Sequence, residues 1–234
     1  MTSSVILSIL ALYSAGIIFV LTGLEALKKF KTNQAERYFG YGAIFIGIVI
    51  GPLMGTRTIF GILGYHGIDF VISAFDQLVL ALSIMAFGSY FVSKVFKKRL
   101  KKAGQIFFIT LGLLVLAVLA WSLEAKFFIG PHISKWGTEY EPIGPAKFTF
   151  LAVWLSIVTF NFLFLLKRFG SWVRNRQINY DFYVGLTLFV FFVFFVFEEL
   201  GQMNTWKLVF SRVTLNAFAV IFYLLYTKES FKEE

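Results

Sequence analysis

Seven apolar stretches, each about as long as a bilayer core is thick, alternate with short charged segments along this 234-residue chain. Such stretches end up either inside a large soluble core or in lipid, and composition decides between the two. The chain is 58% hydrophobic and 20% aromatic but only 15% charged, with a mean hydropathy of +0.77. A soluble domain of this size needs far more polar surface to cover its exterior. Hydrocarbon offers no water to backbone N–H and C=O groups, so long apolar runs must satisfy them internally as helices. The predicted fold is therefore an all-α, polytopic bundle of seven transmembrane helices. It forms one integral membrane domain over 1–234, with spans at about 5–24, 39–63, 69–92, 105–123, 147–166, 180–197 and 206–226.

Orientation follows from where the positive charge falls. Of 22 lysines and arginines, sixteen lie in the first, third and fifth connections and the tail. The densest run is SKVFKKRLKK, with Lys94, Lys97, Lys98, Arg99, Lys101 and Lys102. Lys126, Lys135, Lys147 and Lys207 lie on the other side, while Arg57 and Arg212 fall within spans. The positive-inside rule then predicts an outside N-terminus and a cytoplasmic C-terminus, in a multi-pass protein of the cell or plasma membrane. The formal charge of +9 is accounted for by topology and by membrane lipids whose anionic headgroups meet the basic loops, with no nucleic acid partner expected. The absence of cysteine excludes disulfides, thiolate metal sites and cysteine nucleophiles. The first apolar run lacks a basic leader and is long enough to span, so it is expected to persist as a helix.

Ionisable residues inside spans are costly and tend to be paired or functional. The stretch GTRTIFGILGYHGIDFVISAFD, residues 55–76, carries Arg57 before the GYHG turn and Asp76 after it. At 1.5 Å per residue both are expected roughly 10 Å inside the same membrane face. Asp69, Ser73 and Asp76 recur at helical spacing as a polar stripe. Arg212 and Asn216 share a face of the seventh span, and Glu124, Glu198 and Glu199 stand at span ends on the same side. Arg57, Asp76, Glu124, Glu198, Glu199, Arg212 and Asn216 are the predicted ligand-binding or structural polar network, with His66, Asp69 and His132 at its outer rim. The inner halves of the spans are expected to be almost free of charge. No metal site is predicted, because the two histidines both fall in loops and no HExxH or ExxH spacing occurs. No catalytic residue is assigned, since nothing positions a nucleophile or an oxyanion donor. Gly47, Gly51 and Gly55 form a small-residue ladder expected to pack against a neighbouring helix. The Pro- and Gly-containing segment 125–146 reads as a structured cap, and the phenylalanine-rich sixth span as lipid-facing or an aromatic seam.

The expected topology, with an arginine and an aspartate near the outer face, resembles that of microbial rhodopsins. That resemblance implies a lysine deep in the seventh helix to carry retinal. Here the seventh span has no internal lysine, Lys207 standing at its outer entrance, so covalent retinal is not expected and no cofactor is predicted. G-protein-coupled receptors share the orientation, but the third span ends in FGSYFVSK rather than a DRY-like sequence, and no NPxxY-like stretch follows. The functional expectation is a non-enzymatic sensor, receptor-like module or accessory subunit with an outward-facing polar pocket. The alternatives are a small-solute or proton-coupled transporter, a structural subunit of a membrane complex, and an intramembrane enzyme. The short tail, TKESFKEE, leaves any output to a separate membrane or cytoplasmic protein partner.

Overall fold

A computed structural model describes residues 3–96, 98–125, 128–134, 137–175, 180–200 and 205–227. Seven helical rods run through them: α1 (Ser3–Lys29), α2 (Gln34–Ile62), α3 (His66–Val95), α4 (Lys98–Ala125), α5 (Gly144–Asn175), α6 (Tyr180–Leu200) and α7 (Thr205–Thr227). Between α4 and α5 lies an antiparallel hairpin of β1 (Phe128–Ser134) and β2 (Gly137–Pro142), so the expected cap is a two-stranded element. Six of the rods contain stretches long and apolar enough to cross a membrane, and α6 adds a shorter apolar segment, Asp181–Phe194. The outward faces fit that environment. Ile6, Leu10, Ile17 and Leu21 of α1 and Ile106, Leu113 and Leu114 of α4 are each 44–60% exposed. Apolar patches so extended suit lipid and not water.

Each helix packs against its neighbours in the chain, α7 closes the ring against α1, and α3 reaches across to α5. Successive rods alternate direction. One end of the bundle therefore gathers the C-terminal end of α2, the start of α3, the hairpin and the start of α7. The other end gathers the start of α2, the end of α3, the end of α5 and the start of α6.

The α1–α2 contact is made by glycine, as the ladder predicts. A Cβ on Gly16 would stand only 2.6 Å from the Gly47 carbonyl oxygen, and one on Gly47 2.7 Å from that of Gly16. Any side chain would push the backbones apart, and lipid gives no compensating hydrophobic drive to hold them. Within α2, Pro52 lacks an N–H and its ring obstructs the preceding carbonyl, and the rod widens there into a π turn over Val49–Leu53. The helix resumes at Met54 and carries Arg57 on the far side of that turn.

The reversal from α2 to α3 is a Schellman closure. Gly64 takes φ +85°, Gly64 N–H donates to the Gly61 carbonyl at 3.1 Å and Tyr65 N–H to the Phe60 carbonyl at 2.9 Å. This tight reversal lays α3 back alongside α2. At the other end α2 begins earlier than its apolar pattern suggests. The Asn33 side chain caps it by accepting from Ala35 N–H at 3.1 Å and Glu36 N–H at 3.4 Å, which brings Glu36 inside the helix.

An aromatic seam fills the middle. Phe191 and Phe192 of α6 are essentially buried and meet Phe19, Phe87, Phe222 and Trp154 at centroid separations of 5.3–6.0 Å. Phe39 stacks on Tyr226 at 4.4 Å, joining α2 to α7 across the centre. Phe189 and Phe194 of the same helix are half-buried and meet Phe162 and Phe210 at 6.0 and 5.8 Å, while Leu186 and Val190 lie exposed on its outward face.

Candidate functional site

Arg57 reaches α3 from the last turns of α2 and is 3% exposed. Its guanidinium sits at the level of Ser73, between two carboxylates one heptad apart. Arg57 Nε lies 3.5 Å from Asp69 Oδ1, and Nη1 lies 3.6 Å from Asp76 Oδ2 and donates to Ser73 Oγ at 3.3 Å. Asp69 is fully buried and Asp76 is 4% exposed. The polar stripe of α3 is thus the wall against which Arg57 rests. Asp69 is not a rim residue: it enters the network because α3 starts at His66, placing Asp69 in its first turn facing α2. His66 is exposed, and its carbonyl accepts a long hydrogen bond from Tyr140 Oη at 3.4 Å.

Tyr140 comes from β2 and closes the network from above. The Arg57 guanidinium lies 5.8 Å from its ring centre, and Phe70 meets the same ring edge-on at 5.8 Å. Burial, reinforced by the charge of Asp69 and a hydrogen bond to it, pushes the Tyr140 phenol up from its ordinary 10.0 to about 12, with Arg57 opposing. Beneath Tyr140 the space between α3 and α4 holds a cavity of about 330 Å³ with walls from Phe70, Leu78, Leu116, Leu119 and Phe128. Ser73, Gln77 and Tyr140 supply its polar groups. The cavity beside the charges is therefore apolar, and the charges stand behind Ser73 rather than facing into it.

Arg212 and Asn216 are brought to α1. Arg212 is 4% exposed and its Nε donates to Ser8 Oγ at 3.4 Å. Asn216 donates to the carbonyls of Ala11 and Arg212, each at 2.9 Å, and accepts from Ser14 Oγ at 2.8 Å. Tyr13 of α1 and Thr56 of α2 share a hydrogen bond of 2.9 Å next to Arg57, so α1 touches both polar groups. The side chains of Glu124, His132, Glu198 and Glu199 lie outside the described residues. Among the described residues no three His, Asp or Glu side chains form a group able to hold a metal ion.

A second ionic network, not expected from the sequence, lies at the opposite end of the bundle. Lys94 of α3 bridges Glu36 of α2 at 2.5 Å and Asp181 of α6 at 3.0 Å. Asp181 also pairs with Arg168 of α5, and Tyr226 of α7 donates to Glu36 at 2.9 Å. Lys167 caps α3 by donating to the carbonyls of Lys94 and Val95 at 2.9 and 3.0 Å. Glu36, Lys94 and Arg168 lie just beyond the spans expected from hydropathy, in helix ends that run past them, and Asp181 stands in the first turn of α6, so these charges are gathered into contacts between helices rather than left in loops. One signal was available: Asp181 is the only acid between Glu141 and Glu198, in a region rich in arginine and lysine.

No protein-family model, curated protein or solved structure matches this chain.

Removing one member of a buried ion group leaves its partners uncompensated. Arg57→Met is expected to cost about 3–5 kcal/mol of stability, measured by reversible unfolding in mixed micelles, and Arg57→Met/Asp69→Leu/Asp76→Leu to recover most of it. A loss below about 1 kcal/mol in the single variant would show that the three charges do not depend on one another. Tyr140 has a folded value above its unfolded one, so its contribution is complete below about pH 10 and lost as pH rises through about 12. The phenolate absorbance step missing in Tyr140→Phe should accordingly centre near 12; a missing step near 10 would contradict the burial of the phenol.

Proposed function

We propose that this chain is a non-enzymatic, receptor-like membrane module. In this reading it has seven spans in the cell membrane, its amino terminus outside, its ligand site under the hairpin, and its output carried by a protein partner at the basic cytoplasmic end. The observation that carries the proposal is the coupling of three elements at one place. Arg57 of α2, the Asp69–Ser73–Asp76 stripe of α3 and Tyr140 of the hairpin meet at the wall of a cavity of about 330 Å³. That volume is at the lower end of the range for small-molecule sites. A molecule seated there touches Ser73 and Tyr140, which both contact Arg57, so occupancy bears on how α2, α3 and the hairpin fit together. The sidedness of the lysines and arginines supports the orientation.

Proton-coupled transport is the second reading, and one observation favours it. On α3 the polar residues Asp69, Ser73, Asp76, Ser83, Tyr90 and Lys94 follow one heptad-like face and link the two ionic networks. Against it, Phe39 and Phe87 pack edge-to-face at 5.8 Å between Ser83 and the inner network.

The test is a thermal-shift screen in nanodiscs, using soluble anions, small polar compounds and apolar amphiphiles, on wild type and on Leu116→Trp, which fills the cavity. A ligand at a hundredfold excess over its Kd should raise the wild-type Tm by about 5 °C and leave Leu116→Trp unmoved. No stabilising compound in any class, together with proton flux in proteoliposomes that Asp76→Asn abolishes, would replace the receptor reading with transport.

A further inference from the structure

We infer that the α3–α4 cavity takes a single-chain, uncharged amphiphile that enters from the bilayer and presents a hydrogen-bond donor to α3. This rests on the receptor reading of the same site and adds the class of ligand. Four observations lead to it.

The first is position. Phe70 to Leu78 lie four to twelve residues into α3, and Leu116 to Ala120 lie five to nine residues before the end of α4. At 1.5 Å per residue the cavity sits roughly 6–18 Å below the helix ends, within the thickness of one leaflet. The second is access. Phe70 and Leu78, which line it, are also 36% and 41% exposed on the outward face of α3. The hairpin covers the top through Phe128 and Tyr140, so the open side is lateral, toward lipid.

The third is the wall. Leucine, alanine and phenylalanine supply seven of its ten lining residues, which suits an acyl or isoprenoid chain and disfavours any group that carries its own water. The fourth is the polar end. Gln77 Oε1 is buried and has no hydrogen-bond partner, one helical turn below Ser73 on the same wall. An unsatisfied buried acceptor costs free energy that a donor from a ligand would recover. The headgroup is therefore a donor such as a hydroxyl.

Charge narrows the class further. Behind Ser73 the described residues place two carboxylates around one guanidinium, and Arg57 already faces both. A carboxylate or phosphate headgroup would meet a surface with no cation directed at it. An ammonium would have to shed its water in a cavity whose walls include no acid. A neutral alcohol meets neither obstacle.

The experiment uses the full chain in phosphatidylcholine nanodiscs, titrated with hexadecanol, hexadecanoate or hexadecane and read by thermal shift and native mass spectrometry. Hexadecanol should bind saturably at one molecule per chain, about tenfold tighter than hexadecane or hexadecanoate. Gln77→Leu should weaken hexadecanol about tenfold and leave hexadecane unchanged, since it removes the acceptor and keeps the apolar wall. Leu116→Trp should abolish binding. Equal binding of alcohol and alkane, tightest binding of the carboxylate, or no saturable binding would each overturn the inference. Binding sensitive to Leu116→Trp but confined to water-soluble compounds would overturn the ligand class while leaving the receptor reading intact. The absence of binding by both kinds would remove both.

Discussion

Arg57 is held almost out of contact with solvent between Asp69 and Asp76, and in an apolar bundle the free energy of each charge depends on the other two. An isolated guanidinium at this depth would be expelled to the interface or would draw water in with it. A guanidinium between two carboxylates can stay only where α2 and α3 keep their present rotation and separation. The Schellman closure at Gly64 sets that separation over a few residues, and the π turn at Pro52 re-aims the last turns of α2. Tyr140 then fits over the group because its ring accepts the cation and its hydroxyl finds Asp69 and the His66 carbonyl. The hairpin, the α2–α3 pair and the roof of the cavity are consequences of one buried charge group.

The second network gives the bundle a different kind of order. Glu36, Lys94, Asp181 and Arg168 balance in sign and come from four helices, with Tyr226 adding a fifth. Pairs of this kind add little net stability over well-packed apolar residues, but they reject rotations that leave a charge alone. The apolar seam between the two networks can be assembled in many ways, since phenylalanines tolerate several edge and stacked geometries. The ionic groups at the two ends restrict that freedom.

Much of this was legible in the chain. The apolar runs, the glycine ladder and the placement of Arg57 with Asp76 follow from residue type, spacing and the cost of charge in lipid. What spacing alone could not convey was contact across long separations. Asp69 reads as a rim residue until Tyr140, far along the chain, is seen to cover it. Glu36 and Lys94 read as loop charges because hydropathy trims a span at its first charge, whereas Asn33 extends the helix past it. The cavity is the least legible feature of all. It depends on the distance between α3 and α4 and on where a two-stranded hairpin rests, and neither leaves a periodic trace.

The dependence of this architecture on the Arg57 group is open to direct measurement in a bilayer. Solid-state NMR on selectively labelled protein in liposomes can report the separation between the Arg57 guanidinium nitrogens and the Asp69 and Asp76 carboxyl carbons, along with water contact at the guanidinium. Nitrogen–carbon separations of about 5 Å or less to both aspartates, without rapid exchange to water, are the predicted result. A guanidinium that contacts water or lipid phosphate and lies away from either carboxylate would contradict the account.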